Sequence, residues 1–199
     1  PFLILISIPS LILNLFFIII LYLCGKSYLK VIKIYVKRSK LKKIVLVGNT
    51  SWSMIKFRKG LIKKLIDLNY LVTIIAPYDK FKNDIEKLGC KYLDIDIDNK
   101  GSNPLKDIKL ILKLRKIYKK INPDLVIHYT IKPNIYGTIA SRLVGIKSIA
   151  VVTGLGFTFI NNTLTSKIAK YLYKFSFKYP EKIIFINNDD KHEFILNNL

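Results

Sequence analysis

The sequence predicts an α/β fold built on one doubly wound parallel sheet, preceded by an N-terminal transmembrane helix. Two observations carry the sheet. After residue 42, short apolar runs of strand length alternate with amphipathic stretches of helical length, and strands alternating with helices imply a parallel sheet covered on both faces. The runs are continuously apolar rather than alternating, as strands buried on both sides are. A third observation carries the helix. Residues 1–25 hold no charged side chain, whereas the next eighteen hold eight basic residues and no acid.

Lys43 to Gly48 (KIVLVG) reads as the first strand. Residues 56–68 place apolar side chains at 57, 61, 62, 65, 66 and 68, a helical stripe. Leu71 to Ala76 is a second strand, stopped by Pro77. Residues 79–88 make a short helix ended by Gly89. Lys91 to Asp96 is a third strand. Pro104 opens a long helix that runs to Ile121, Pro being favoured at a helix start, and Asn122-Pro-Asp turns the chain. Leu125 to Tyr129 is a fourth strand, residues 134–144 are helical, Ser148 to Val152 is a fifth strand and 163–178 a helix. Lys182 to Ile186 is the sixth strand and 189–198 the last helix. The span 43–199 suffices for one such Rossmann-like domain and not for two.

An apolar run of about 20 residues is long enough to cross the hydrocarbon core of a bilayer. Lysine and arginine flanking it stay on the cytoplasmic side. Residues 1–25 are therefore expected to anchor the chain in the inner, cytoplasmic membrane. Residues 26–42 form a basic juxtamembrane segment, and the globular part lies on the cytoplasmic side. A secretory signal would carry its positive charge before a shorter apolar core, which is not the pattern here. Residues 1–66 carry +13 and residues 67–199 carry +8, and no acid precedes Asp67. Basic residues beside the anchor are drawn to anionic headgroups. The same charge is open to a nucleic-acid reading, but no nucleic-acid motif accompanies it, so no nucleic-acid partner is expected. Cys24 and Cys90 are the two cysteines and give no disulfide framework.

Ligands of open parallel sheets bind beyond the carboxyl ends of the strands, which selects four loops. The first runs from Gly48 and Asn49 into a helix whose free N–H groups favour an anion, with Arg58 on that helix as a bidentate phosphate donor. A solvated loop with a surface arginine is the alternative. The second, His128-Tyr-Thr-Ile-Lys-Pro-Asn134, gathers His128, Thr130, Lys132 and Asn134 at a strand end. A lone His is more often a satisfied core residue. The third holds Gly154 and Gly156, which permit close backbone approach. It is not a dinucleotide fingerprint, because Phe159 stands at the third glycine position. The fourth, Asn187-Asn-Asp-Asp190, doubles as a helix cap. Asp94-Ile-Asp-Ile-Asp98 has carboxylates on alternate positions, which share one face of a strand and form a candidate cation site. An exposed strand end is the favoured reading, and no metal is expected. Asn49-Thr-Ser51 and Asn161-Asn-Thr163 match the N-glycosylation pattern, which has no meaning in a cytoplasmic domain. Trp52 has no evident partner, and His192 reads as a surface helix residue.

Taken in order, the segments VGNTSWSMIKFRKGLIKKL, APYD, LGCKYLDIDIDNKGSNP, INPDLVIHYTIKPNIYGTIASRLVGIKSI, TGLGFTF and INNDD resemble family 4 glycosyltransferases of the two-Rossmann-domain (GT-B) fold. The likeness is to the N-terminal domain of the branch acting on lipid-linked saccharides and capsular polysaccharides. It covers residues 42–199. The resemblance implies transfer of a sugar, with retention, from a nucleotide-sugar donor to a polyprenyl-diphosphate-linked saccharide, usually without metal or other cofactor. The N-terminal domain of that family mainly holds the acceptor. Many relatives carry His-x-His after the fourth strand, and here His128 takes the first place and Thr130 the second. The family's C-terminal domain holds most of the nucleotide site and a Glu-x7-Glu motif. This chain has three glutamates, Glu86, Glu181 and Glu193, none eight apart, so the donor domain is expected to be missing from it and no catalytic residue is assigned. By this reading Gly48, Asn49 and Arg58 line the acceptor or its phosphate, Thr130, Lys132 and Asn134 the cleft near the transferred sugar. The alternatives are a membrane-tethered, non-catalytic partner subunit of a split glycosyltransferase and a sugar-nucleotide epimerase. The epimerase reading expects an acidic residue in the loop after the first strand, where this chain has none.

Overall fold

The computed structural model describes residues 43–98, 103–155 and 163–198. The chain divides into two units, Pro1–Arg38 and Ser39–Leu199, and the described residues all belong to the second. The proposed anchor (1–25), the basic segment (26–42) and Gly156 lie outside them. Among the described residues no helix is long and apolar enough to cross a membrane.

Six parallel strands form one sheet in the order β3-β2-β1-β4-β5-β6. They are β1 (Lys43–Val47), β2 (Leu71–Ala76), β3 (Lys91–Asp94), β4 (Leu125–Tyr129), β5 (Ser148–Val152) and β6 (Lys182–Phe185). The helices are α1 (Ser51–Asp67), α2 (Lys82–Lys87), α3 (Pro104–Ile121), α4 (Thr138–Leu143), α5 (Leu164–Ser176) and α6 (Asn188–Leu196). A single π-turn, Pro133–Gly137, leads into α4. The chain lays down β1, β2 and β3 outward in one direction. It then returns to place β4 on the other side of β1. The carboxyl ends of β1 and β4 thus flank the point where strand order reverses, the position at which such sheets bind ligands.

Successive residues of a strand face opposite sides, and the interior follows this rule. Val45, Val47, Ile75, Val126 and Val152 share one cluster with Leu110, Leu114 and Tyr118 of α3, Tyr173 of α5 and Phe194 of α6. Ile44, Leu46, Ile74 and Ile127 alternate with them and are fully buried, as are Ile62 and Leu65 on α1 and Ile85 on α2. Tyr173, Phe177, Phe185 and Phe194 close the β6 end with ring centroids 4.7–5.6 Å apart.

Several boundaries depart from the sequence pattern, among them α2, which starts at Lys82 rather than 79, and three have a visible cause. Helix α1 begins at Ser51, five residues before its apolar stripe, because the Thr50 hydroxyl accepts from the Ser53 N–H at 3.1 Å and caps a start that is polar in composition. Strand β3 ends at Asp94 rather than Asp96, and the Asp94 carboxylate accepts from the Tyr78 N–H. The expected helix 134–144 splits into the π-turn and α4. The widened turn seats Gly137 against the His128 ring, where a Cβ would collide with the imidazole. Elsewhere the caps are those the sequence offers. Asn103 accepts from Leu105 and Lys106, Pro104 follows it, and Asn122 ends α3 in the left-handed conformation at φ 48°.

Candidate functional site

A cleft of about 220 Å³ opens beyond the carboxyl ends of β1, β4 and β5, lined by Asn49, Thr130, Ile131, Lys132, Thr153 and Gly154. Three of the four loops picked out by the sequence meet there. Gly48 sits just beneath, its N–H still donating to Ile75 in the sheet at 3.0 Å. Gly154 adopts φ +133°, a backbone conformation for which glycine is the natural residue. The fourth loop stays apart as a cap, with Asn187 accepting from the Asp190 N–H at 2.7 Å.

The strand-four loop is the chemically dense wall. Thr130 has φ +70°, a true outlier for a β-branched residue. Its hydroxyl oxygen is buried with no hydrogen-bond partner among the described residues. Lys132 is held by Asp107, whose carboxylate accepts from the ammonium at 2.7 Å and, through its other oxygen, from the Tyr136 hydroxyl at 2.8 Å. Burial, the hydrogen bond to Asp107 and that carboxylate's charge all push the Tyr136 phenol upward, so it remains protonated and donating. Asp107 lies 25 residues before Lys132, on the first turn of α3, where a carboxylate is favoured by the helix dipole.

His128 and Asn134 stand behind the cleft rather than in its lining. The His128 ring is fully buried, with Nε2 3.0 Å from the Tyr118 hydroxyl and Nδ1 3.3 Å from the Thr138 hydroxyl. Desolvation lowers its pKa from 6.5 to about 3, so it is neutral at physiological pH. Below about pH 6.5 the unfolded chain takes up a proton that the folded chain refuses until about pH 3. Stability from this group is complete above pH 6.5 and declines as pH falls through that window, at a slope approaching about 1.4 kcal/mol per pH unit. Urea unfolding between pH 4.5 and 7.5 is expected to show that decline, and His128→Gln to flatten it. Asn134 pairs both sides of its amide with Val151, donating to the carbonyl at 2.9 Å and accepting from the N–H at 3.2 Å.

The first loop is occupied by the chain's own groups. The Asp79 carboxylate accepts from the Trp52 N–H at 3.0 Å, so an acid of the β2–α2 connection takes the place of an external anion at the start of α1. Arg58 lies two turns further on, its guanidinium 4.6 Å from the centre of the Tyr129 ring. Tyr129 is buried and its phenol is pushed up to about 12, Arg58 opposing that rise. Trp52 does have a partner, the Phe57 ring, edge-on at 5.3 Å. Around Asp94-Ile-Asp-Ile-Asp98 the two isoleucines are buried, and Asp98 pairs with Lys106 at 3.2 Å. Among the described residues no three His, Cys, Asp or Glu side chains gather as a metal site. Cys90 is buried and its thiol is pushed up to about 11, which leaves it protonated.

Sequence reasoning missed Asp107 and Tyr136, and it placed Ile131 and Thr153 in their loops without singling them out. Asp107 is the sole acid of α3, a weak signal that only the tertiary contact makes specific.

The model of the glycosyl transferase 4-like family matches residues 43–187, from β1 to the end of the β6 segment. The chain belongs to that family. Among characterised relatives, it is 29% identical over 160 residues to the N,N'-diacetylbacillosaminyl-diphospho-undecaprenol alpha-1,3-N-acetylgalactosaminyltransferase of Campylobacter jejuni, covering 78% of this chain and 42% of that protein. It is 32% identical over 88 residues to the UDP-Gal:alpha-D-GlcNAc-diphosphoundecaprenol alpha-1,3-galactosyltransferase of Escherichia coli, covering 44% of this chain and 23% of that one. The chain thus spans less than half the length of either relative. Among solved structures, a glycosyltransferase from Rickettsia africae superposes with a TM-score of 0.55 at 16% identity, over 79% of this chain and 40% of that one. A putative UDP-N-acetylglucosamine 2-epimerase from Listeria monocytogenes gives 0.59 at 15% identity, over 80% and 43%. Both likenesses are of fold. What they share with this chain is the Rossmann-like α/β fold.

Proposed function

We propose that this domain is the acceptor-side half of a retaining hexosyltransferase that moves a sugar from a nucleotide-sugar donor to a polyprenyl-diphosphate-linked saccharide. The observation that carries the reading is the cleft at the strand-order reversal. Its wall holds a strained Thr130 whose buried hydroxyl has no partner among the described residues, beside an ammonium fixed by Asp107. A buried hydroxyl without a partner costs free energy that a bound polar ligand would recover. Family membership and two relatives named for undecaprenyl-diphosphate-linked acceptors supply the chemistry.

In this reading Thr130 and Lys132 face the transferred sugar, Asn49 and Thr153 supply further hydrogen bonds, and Gly154 and Gly156 allow backbone approach. Gly48 and Arg58 lie on the acceptor side. His128 and Asn134 act through position, holding the strand-four loop from behind. The nucleotide sugar is bound across the cleft by a second domain, which also supplies most of the stabilisation of the oxocarbenium-like transition state. No metal takes part. The apolar segment 1–25 and the basic segment 26–42 hold the domain at the cytoplasmic face of the inner membrane, beside its lipid-linked acceptor.

Arg58→Ala in the full-length enzyme is expected to raise the acceptor KM by about ten- to a hundredfold, the worth of one charge-assisted hydrogen bond, with thermal stability kept. Lys132→Met is expected to lower kcat/KM for the donor sugar by a similar factor. An unchanged acceptor KM in the first variant removes Arg58 from the site. Unaltered kinetics in the second removes the cleft.

A further inference from the structure

Among the described residues that line the cleft, Lys132 is the one cation. Its charge is cancelled from inside the domain. The Asp107 carboxylate meets the ammonium at 2.7 Å, and both side chains are mostly buried. Opposite unit charges this close present little net field to a ligand a few ångströms away. Helix α3 supplies the acid and the strand-four loop the base. The cancellation therefore holds whatever second domain faces the cleft. Asp107 is also not free to turn away, because its other oxygen accepts from the buried Tyr136 at 2.8 Å. Its neighbour Lys106 is matched in the same way, by Asp98 at 3.2 Å. Beyond Gly154 and Leu155, residues 156–162 carry no charged side chain.

The wall thus offers hydrogen bonds without net charge. An ammonium has three donors, of which Asp107 takes one. The Thr130 hydroxyl can donate once and accept twice, and it has no partner among the described residues. That set suits a sugar hydroxyl, which both donates and accepts. It does not suit a carboxylate. A carboxylate would leave water for a cation that is already neutralised, with the like charge of Asp107 directly behind it. Leaving a desolvated charge unpaired is one route by which a site rejects a near relative of its ligand.

We propose that Asp107, acting through Lys132, is a specificity-determining residue. It holds the cleft at zero net charge and so restricts it to uncharged, hydroxyl-rich sugars, excluding uronic acids. This inference rests on the reading that the cleft faces the transferred sugar. It goes further by naming the class of that sugar and the residue that selects it. Asp107 touches no substrate, and its role is to position and neutralise the ammonium.

The test uses the full-length enzyme and donor pairs that differ only in a carboxylate at C6: UDP-galactose against UDP-galacturonate, and UDP-glucose against UDP-glucuronate. Each is read by kcat/KM where it is transferred and by its inhibition constant where it is not. The wild type is expected to prefer the neutral member of each pair. Asp107→Asn adds one uncompensated positive charge. It should shift the neutral-to-acid ratio towards the acid by about tenfold or more, the worth of a charge-assisted hydrogen bond. Lys132→Met should shift the ratio the other way. Asp107→Asn combined with Lys132→Met should return it to the wild-type value, although both charged groups are gone. Circular dichroism checks the fold of each variant. If Asp107→Asn does not fold, the step between Lys132→Met and the double variant carries the test. Rates that fall with the ratio unchanged would overturn the proposal, leaving Asp107 a structural role only. A wild type that prefers the acidic member would overturn it as well. Variants with wild-type rates on every donor would instead remove the cleft from the sugar site, and the proposal with it.

Discussion

Asp107→Ala is expected to lower the unfolding free energy by about 3–5 kcal/mol, the usual cost of leaving a buried charge without its partner. The Lys132 and Asp107 side chains keep 15% and 11% of their exposure, and the same carboxylate also accepts the Tyr136 hydroxyl. Removing it strands an ammonium and a phenol together. The size of the loss therefore measures desolvation rather than the attraction of the pair. Adding Lys132→Met to Asp107→Ala should consequently restore part of the stability, because the uncompensated charge goes with it. Urea denaturation of the two single variants and the double variant completes a mutant cycle. A double variant no more stable than Asp107→Ala alone would mean that Asp107 acts through Tyr136 only.

Asn134→Leu is expected to cost about 2–6 kcal/mol, since two buried backbone groups each lose a partner at about 1–3 kcal/mol apiece. Leucine fills a similar volume, so little of the effect comes from a cavity. The Asn134 amide touches both the carbonyl and the N–H of Val151, at the point where β5 runs into Thr153 and Gly154. The same change should loosen that wall of the cleft, and hydrogen exchange at the Val151 amide is expected to rise with it. Protection at Val151 equal to wild type would show that the sheet, not Asn134, satisfies that amide.

The strands were legible because each is a continuous apolar run ended by Gly, Pro or a turn, and their alternation with helices left one economical topology. The start of α1 was hidden because Ser51-Trp-Ser53 is polar in composition, and its helical state depends on Thr50 and Asp79 as partners. The π-turn after β4 was illegible for a different reason. It answers the bulk of the His128 ring, a packing constraint between residues nine apart that no periodicity encodes. Of the candidate site, the loops were legible from the rule that ligands sit beyond strand ends. The division within them was not. Nothing in HYTIKPN says that His128 and Asn134 turn inward while Thr130 and Lys132 reach the cleft, because the left-handed bend at Thr130 reverses the alternation that a strand would have continued.

The strand order has a consequence for biosynthesis. β1 occupies the middle of the sheet, yet its second neighbour, β4, begins only at Leu125, and the Lys43 amide waits for the Asp124 carboxylate 81 residues downstream. At a ribosomal pace of 5–20 residues per second, roughly 4 to 16 s pass with that flank of β1 unpaired. During that interval the nascent polypeptide leaves one flank of β1 unpaired, the kind of edge that pairs with other chains, and slower translation between codons 47 and 125 is expected to lower the soluble yield.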